Sequence, residues 1–293
     1  MYDMKALYEA NSVRHACELL LAHPGAKVIA GGSDVLVQMR EGRLAGCELV
    51  SIYGLDELRG ISLDEDDTLR ILPLTSFSHI TKHPLINEII PVLGEAVDMV
   101  GGPQVRNIGT IGGNTCNGVT SADSASTLHA WNAVMEITGI GGTRQLSIKE
   151  FYVSAGKVAL LPGEILTAIL IRNADYEGYK GHYIKYAMRN AMDIATTGCS
   201  VNVKLTADKK TIEDARIAYG VAGPVPMRAP SAEAAVRGLP ANAETAELFG
   251  KTALQDVNPR TSWRANREFR LHLCETLAKR ALLKAIELSG GEI

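Results

Sequence analysis

Apolar residues recur at helical spacing over residues 12–23, where Val13, Ala16, Leu19 and Leu20 fall on one face and Asn11 or Ser12 can cap the start. Pro24-Gly25 ends that pattern. Lys27, Val28, Ile29 and Ala30 then predict a short buried strand running into the turn Gly31-Gly32-Ser33-Asp34, with the first turns of a helix at 35–40. Residues 47–52 read as a strand. Residues 61–72 read as a hairpin turning at Asp64-Glu65-Asp66-Asp67, a charge run expected of a solvated turn. Helical spacing returns over 77–82 and 85–100 and stops at Gly101. His79 and His83 are four apart, as metal ligands can be, but no third ligand accompanies them, and a helix end beside Pro84 is the better reading.

The periodicity fails over residues 100–126, VGGPQVRNIGTIGGNTCNGVTSADSAS, which hold six glycines, three asparagines and no Lys or Glu. Val105, Ile108, Ile111 and Val119 are spaced through the stretch, which predicts an ordered loop rather than disorder. Glycine N–H groups can be turned to converge on an anion, phosphate above all. Asn114 and Asn117 add amides, Thr110, Thr115, Thr120 and Ser121 add hydroxyls, and the carboxylate of Asp123 suits a ribose diol. A tightly packed loop that binds nothing is the alternative. The earlier turn, Gly31 to Asp34, has the same strand, glycine turn and helix-start pattern, so two loops suggest one phosphate-bearing ligand. Neither loop is G-x-G-x-x-G or a Walker A sequence, which disfavours a Rossmann or P-loop site.

Beyond the glycine stretch, 133–137 and 143–148 predict a second hairpin across Gly139-Ile140-Gly141-Gly142, flanked by His129 and Trp131 as packing residues, and 164–171 predict a strand. The polar segment 172–181 is the expected domain boundary. Residues 183–188, 199–205 and 214–220 alternate like antiparallel strands, and helical segments follow at 231–237, 243–254 and 264–289. Arg264, Arg267 and Arg270 lie three apart on the last of these, either a solvated basic stripe or a face for an acidic partner.

Composition narrows the function. At 293 residues, 46% hydrophobic and 22% charged, the chain reads as an ordinary globular protein of two domains or one large one. A net charge of −3 argues against nucleic acid as a partner. Neither a secretory signal nor a membrane-length apolar run is evident, so no membrane association is expected. Cys17, Cys47, Cys116, Cys199 and Cys274 are scattered, which predicts reduced cytoplasmic thiols and no iron–sulfur cluster within this chain. Cys116 lies within the glycine stretch, with small-residue packing as its expected role.

Taken together, residues 27–36 (KVIAGGSDVL), 104–107 (QVRN), 110–114 (TIGGN), 121–123 (SAD), 185–189 (KYAMR) and 193–195 (DIA) resemble, in order, the FAD-binding medium subunit of molybdenum hydroxylases. Residues 256–273 (DVNPRTSWRANREFRLHL) resemble the ending found in bacterial xanthine dehydrogenases. The resemblance covers essentially the whole chain. It implies an α+β fold: a two-subdomain FAD-binding part of the PCMH type over 1–176 (subdomains 1–55 and 56–176), then an α+β C-terminal domain over 177–293 with an antiparallel sheet and helices.

Carried residue by residue, the resemblance implies that Lys27 to Asp34 cradle the pyrophosphate, with Gly31 and Gly32 admitting the backbone. Thr110, Ile111, Gly112, Gly113 and Asn114 form the second cradle, with Asn117 beyond it. Asp123 would meet the adenosine end, Ile165 and Leu166 would pack near the flavin nucleotide, and Lys185 would place a cation near the flavin. Ser33 stands where the family usually has Thr, which keeps the hydroxyl. The implied partners are a molybdopterin-binding large subunit and a small subunit with two [2Fe–2S] clusters, whose electrons would leave through FAD to NAD⁺ as xanthine becomes urate. No residue of this chain need act as acid, base or metal ligand. The alternatives are the medium subunit of a carbon monoxide, aldehyde or N-heterocycle hydroxylase, a stand-alone FAD reductase, or a non-catalytic nucleotide-binding module.

Overall fold

The computed structural model describes residues 3–293, which form three main sheets in succession and a fourth, two-stranded one. In the first, β1 (Met4–Glu9), β3 (Cys47–Ser51) and β2 (Lys27–Ile29) lie parallel in that order, linked through α1 (Val13–Ala22) and α2 (Val35–Arg40). Ser12 caps α1 by accepting a hydrogen bond from the His15 N–H, as the sequence predicts. Strand β2 is only half buried, because it edges the sheet and faces the cleft described below.

The second sheet is antiparallel throughout, in the order β4 (Ile61–Leu63), β5 (Leu69–Ile71), β10 (Ile165–Ile171), β6 (Val134–Gly139) and β7 (Gly142–Ser147). Both predicted hairpins are present. Strand β10 is buried along its whole length, because α1 packs on one side of the sheet and the apolar core shared with the helices after β5 fills the other. Those helices are α3 (Phe77–Lys82), α4 (Pro84–Ile89) and α5 (Pro91–Asp98). The single helix expected over 85–100 is thus two, because Pro91 pushes Ile90 out of the helical region to φ −135°, ψ 58°.

The stretch 100–126 corrects the sequence reading more deeply. It is not a loop: it holds α6 (Pro103–Ile108), α7 (Ile111–Cys116) and the start of α8 (Asp123–Ala130). Helices this short are unstable alone, and tertiary bonds pin them. Thr110 caps α7 by accepting from the Gly113 N–H, while the N–H groups of Ile111 and Gly112 donate to the carbonyls of Thr75 and Pro73. A small helix α9 (Ile148–Phe151) and the hairpin β8 (Tyr152–Ser154) and β9 (Lys157–Val158), neither of them expected, complete this part.

The third sheet runs β11 (Lys180–Tyr186), β12 (Thr197–Leu205), β13 (Ile212–Gly220) and β14 (Met227–Arg228), reached through the short α10 (Asn173–Tyr176). Cys199, Val201 and Val203 of β12 join the core formed with α11 (Pro230–Val236), α12 (Ala243–Ala253) and α13 (Arg267–Leu288). The opposite face of the same sheet is covered by α8, every residue of which is buried. Small side chains allow that close approach. Thr127 Oγ1 donates to the Ser124 carbonyl, and the His129 ring pairs with the Ala125 carbonyl at 2.7 Å, whereas Ser126 Oγ has no hydrogen-bond partner among the described residues. Burial pushes His129 down to about 4.

The arginine stripe does not exist as such. Arg264 precedes α13, and Arg270 is 2% exposed, donating to the carbonyls of Thr196 and Val221 and to Ser262 Oγ. His79 and His83 stack at 5.4 Å, and no metal-binding group of His, Cys, Asp or Glu occurs among the described residues.

Arg270→Met should lower unfolding free energy by about 3 kcal/mol, since it orphans buried carbonyls, whereas Arg267→Ala should change it by less than about 0.5 kcal/mol in the same urea titrations. His129, neutral when folded and titrating near 6.5 when unfolded, contributes stability that is fully present above pH 6.5 and lost as pH falls toward 4, about 3 kcal/mol in all. His129→Gln should flatten the stability profile across that window. Equal slopes for the variant and the parent would refute the assignment.

Candidate functional site

A cleft of about 490 Å³ opens where the turn after β2 meets α6 and α7, floored by the start of β10. Its first wall is Lys27, Val28, Ala30 and the turn Gly31, Gly32, Ser33 and Asp34. The second is Thr110, Gly112, Gly113, Asn114 and Asn117, and the floor is Ile165 and Leu166. Two segments more than seventy residues apart in sequence thus share one cavity.

The glycines act in a way sequence reasoning did not foresee. A Cβ on Gly31 would overlap the carbonyl oxygen of Ile108, and one on Gly112 would overlap the Pro73 ring, with Pro73 O 2.7 Å away. Both are glycine because protein backbone, rather than ligand, comes close. Gly32 alone in this pair of turns has the left-handed φ of +72° that glycine tolerates best.

The N–H groups of Gly31, Gly32, Ser33 and Asp34 donate no hydrogen bond among the described residues. Four unpartnered donors in one turn at a helix start form a cradle for an anion. Asn114 Oδ1 accepts from Ser124 Oγ at 2.7 Å, which leaves its NH₂ as the group open to a ligand. Val28, Leu74, Phe77, Leu160, Ile165 and Leu166 give the rest of the cleft an apolar lining. An anion cradle beside an apolar slot suits a diphosphate joined to a flat ring system, so the residues present fit FAD.

Four predicted residues do not line the cleft. Ile29 and Ile111 are held in β2 and in the core, respectively. Asp123 and Lys185 are paired with each other: Lys185 Nζ donates to Asp123 Oδ2 at 2.8 Å and to the Met99 carbonyl at 2.9 Å, and Tyr183 OH donates to Asp123 Oδ1 at 2.7 Å. Burial pushes the Asp123 carboxyl up, and Lys185 and Tyr183 pull the other way. Both carboxylate oxygens are therefore engaged within the protein, and the pair sits one residue behind Val100, which does line the cleft.

Sequence reasoning also missed contributors. Glu164 reaches the cleft with its carboxylate held bidentately by Arg144 at 2.7 and 2.8 Å, which keeps it below the usual carboxylate range. Pro73 and Gly156 line it too, and the Gly156 N–H donates to Gly118 O, clasping the end of α7. No short-range signal marks them, because their partners are distant in sequence. Cys116 also lines the cavity, and burial pushes its thiol up to about 12, away from nucleophilic chemistry.

Residues 2–172 match the FAD binding domain in molybdopterin dehydrogenase, and residues 182–285 match the CO dehydrogenase flavoprotein C-terminal domain. The chain belongs to the family of FAD-binding subunits of molybdenum hydroxylases. Among its relatives, the xanthine dehydrogenase FAD-binding subunit of Escherichia coli O157:H7 is 40% identical over 293 residues, 100% of both chains. The nicotinate dehydrogenase FAD-subunit of Eubacterium barkeri is 31% identical over 83% of this chain and 81% of its own. The fold matches carbon monoxide dehydrogenase from Hydrogenophaga pseudoflava with a TM-score of 0.92 at 27% identity, covering 99% of each chain. These similarities agree with the expected fold, a FAD-binding part followed by a C-terminal part with an antiparallel sheet and helices.

In this flavoprotein subunit, Gly31→Ala and Gly112→Ala should each lower FAD content at least tenfold, because the two walls can no longer close. Gly25→Ala, at a position with nothing within 4 Å, should leave it unchanged. Flavin-to-protein ratios of the purified variants check this, and full occupancy in Gly31→Ala would show that the wall contact is dispensable.

Proposed function

We propose that this chain is the electron-exit subunit of a xanthine dehydrogenase-like molybdenum hydroxylase, with NAD⁺ as the acceptor. In this reading a large partner carries molybdopterin and a small partner carries two [2Fe–2S] clusters, the substrate is oxidised on the large partner, and the whole operates in the cytoplasm. Residues 1–176 serve as the FAD-binding part and 177–293 as the C-terminal domain. The observation that carries the proposal is the approach of the two walls: Gly31 seated on the Ile108 carbonyl, beside four N–H groups with no partner among the described residues.

Bound there, FAD supplies the ability to take electrons singly and give them up in pairs. The chain's own residues do the holding. The N–H groups of Gly31 to Asp34 bind the diphosphate, with the α2 dipole adding a fixed positive end. Gly113, Asn114 and Asn117 close over it from the other wall, and Ile165 and Leu166 keep water from the apolar end. Glu164, pinned by Arg144, offers a fixed acceptor to a ligand hydroxyl. Asp123 and Lys185 act as a neutralised pair that buttresses the Met99–Val100 rim. Identity of 40% over the whole of a xanthine dehydrogenase subunit supports the substrate assignment.

Expression of the chain alone, extraction of its chromophore and identification by mass tests the cofactor. The expected result is FAD at about one per chain, bleached by NADH without oxygen. A chain that stays colourless after incubation with FAD overturns the proposal, and a flavin that NADH fails to bleach overturns the choice of acceptor.

A further inference from the structure

Helix α6 carries part of the cleft and yet has little of its own to hold it in place. None of its six residues is buried, and a helix that short is unstable by itself. Its position nevertheless decides the site. The Ile108 carbonyl at its end receives Gly31, and Val105 lines the cleft. Contacts with other parts of the chain must therefore fix where it stands.

Just past the end of the helix, the Gly109 carbonyl accepts from the Phe77 N–H at 3.1 Å. On the exposed side, Asn107 Oδ1 accepts from Ser78 Oγ at 2.6 Å. The remaining tie is Arg106. Its guanidinium turns back along the chain and donates from Nη1 to the carbonyls of Val100 and Gly101, each at 3.1 Å. Its Nε meets Asp98 Oδ1 at 3.1 Å, and the arginine side chain is 17% exposed against 56% for the aspartate.

Lys185 adds to this clamp, since its ammonium holds the Met99 carbonyl at 2.9 Å. The successive carbonyls of Met99, Val100 and Gly101 are thus each met by a cation. They follow the end of α5, where a helix leaves acceptors without partners and presents the negative end of its dipole. Capping alone asks only for a donor. Arg106 does more, because it stands on α6 while its acceptors stand at the end of α5. It closes the segment between the two helices into a loop, with Gly101 at φ +50° in its bend. Val100, in the middle of the clamped carbonyls, lines the cleft.

We propose that Arg106 is a positioning residue of the cofactor cleft. Its hold on the Val100 and Gly101 carbonyls sets where α6 stands, and with it the fit of the Ile108 carbonyl against Gly31 and the width of the slot beside Val100. The inference rests on the FAD reading above and adds a residue that does not itself line the cleft. It also gives a task to the QVRN stretch at 104–107.

The test uses the full chain, stripped of flavin and titrated with FAD. Arg106→Met keeps the apolar stem and removes the donors, so it should weaken FAD binding about tenfold. Arg106→Lys keeps the charge and can reach one carbonyl, so it should fall between, about threefold weaker than the parent. At saturating FAD the visible circular dichroism of the bound flavin should change in Arg106→Met, a signature that loss of stability alone does not produce. Asn107→Ala, which removes the exposed tie of the same helix, should bind as the parent does. Parent-like affinity or unchanged dichroism in Arg106→Met overturns the proposal. So does an Arg106→Lys that binds no tighter than Arg106→Met, which would assign the effect to packing, and so does an equal loss in Asn107→Ala. Should Arg106→Met not fold, Arg106→Lys decides alone, and parent affinity in it overturns the proposal. A parent chain that takes up no FAD refutes the FAD reading itself, and the role of Arg106 with it.

Discussion

The site depends on one backbone-on-backbone approach. Gly31 sits so close to the Ile108 carbonyl that no side chain fits between them. This contact brings the turn after β2 against the end of α6, and so makes one cleft from a wall at the edge of the first sheet and a wall on helix α7. A side chain there would force the walls apart, and the two glycine turns would no longer line one cleft. Gly112 plays the same part against Pro73, seating α7 on the turn that follows β5. The cradle is preorganised by these contacts, so little conformational freedom remains to be lost on binding.

A second constraint joins the flavin part to the C-terminal sheet. Helix α8 is buried on all sides although it contains Asp, Ser, Thr and His. It lies between the core of the second sheet and the third sheet, and its first residue, Asp123, is bonded to Tyr183 and Lys185 of β11. The cleft wall and the C-terminal domain are thereby fastened through a buried ion pair whose lysine also holds the Met99 carbonyl. Removing one partner of such a pair leaves an uncompensated charge, so its disturbance would reach the rim of the cleft. Buried Arg270 makes the corresponding fastening on the outer side, where it joins two distant segments through Thr196 and Ser262.

Much of the fold was legible in the sequence because it rests on local physics. Helix α1 with its Ser12 cap, helix α2, the hairpins at 61–72 and 133–148 and the antiparallel strands of the third sheet all follow from periodicity and turn chemistry. The glycine turns are marked by the same local composition, and the structure sets both along one cleft. The stretch 100–126 was misread because its helices α6 and α7 are too short for a 3.6-residue repeat to show, and they persist through bonds that no local pattern contains: α7 to Pro73 and Thr75, and the end of α6, at Gly109, to Phe77.

By itself, then, the sequence determined the elements, the two glycine turns and the family to which their combination belongs. Only tertiary structure decided what the glycines touch, that Asp123 and Lys185 are spent on each other, that Glu164 reaches the cleft, and that Arg270 points inward while Arg267 stays in water. The reason is physical: propensity and periodicity act over a few residues, whereas burial, charge pairing and close backbone approach are set by whatever the rest of the chain places alongside.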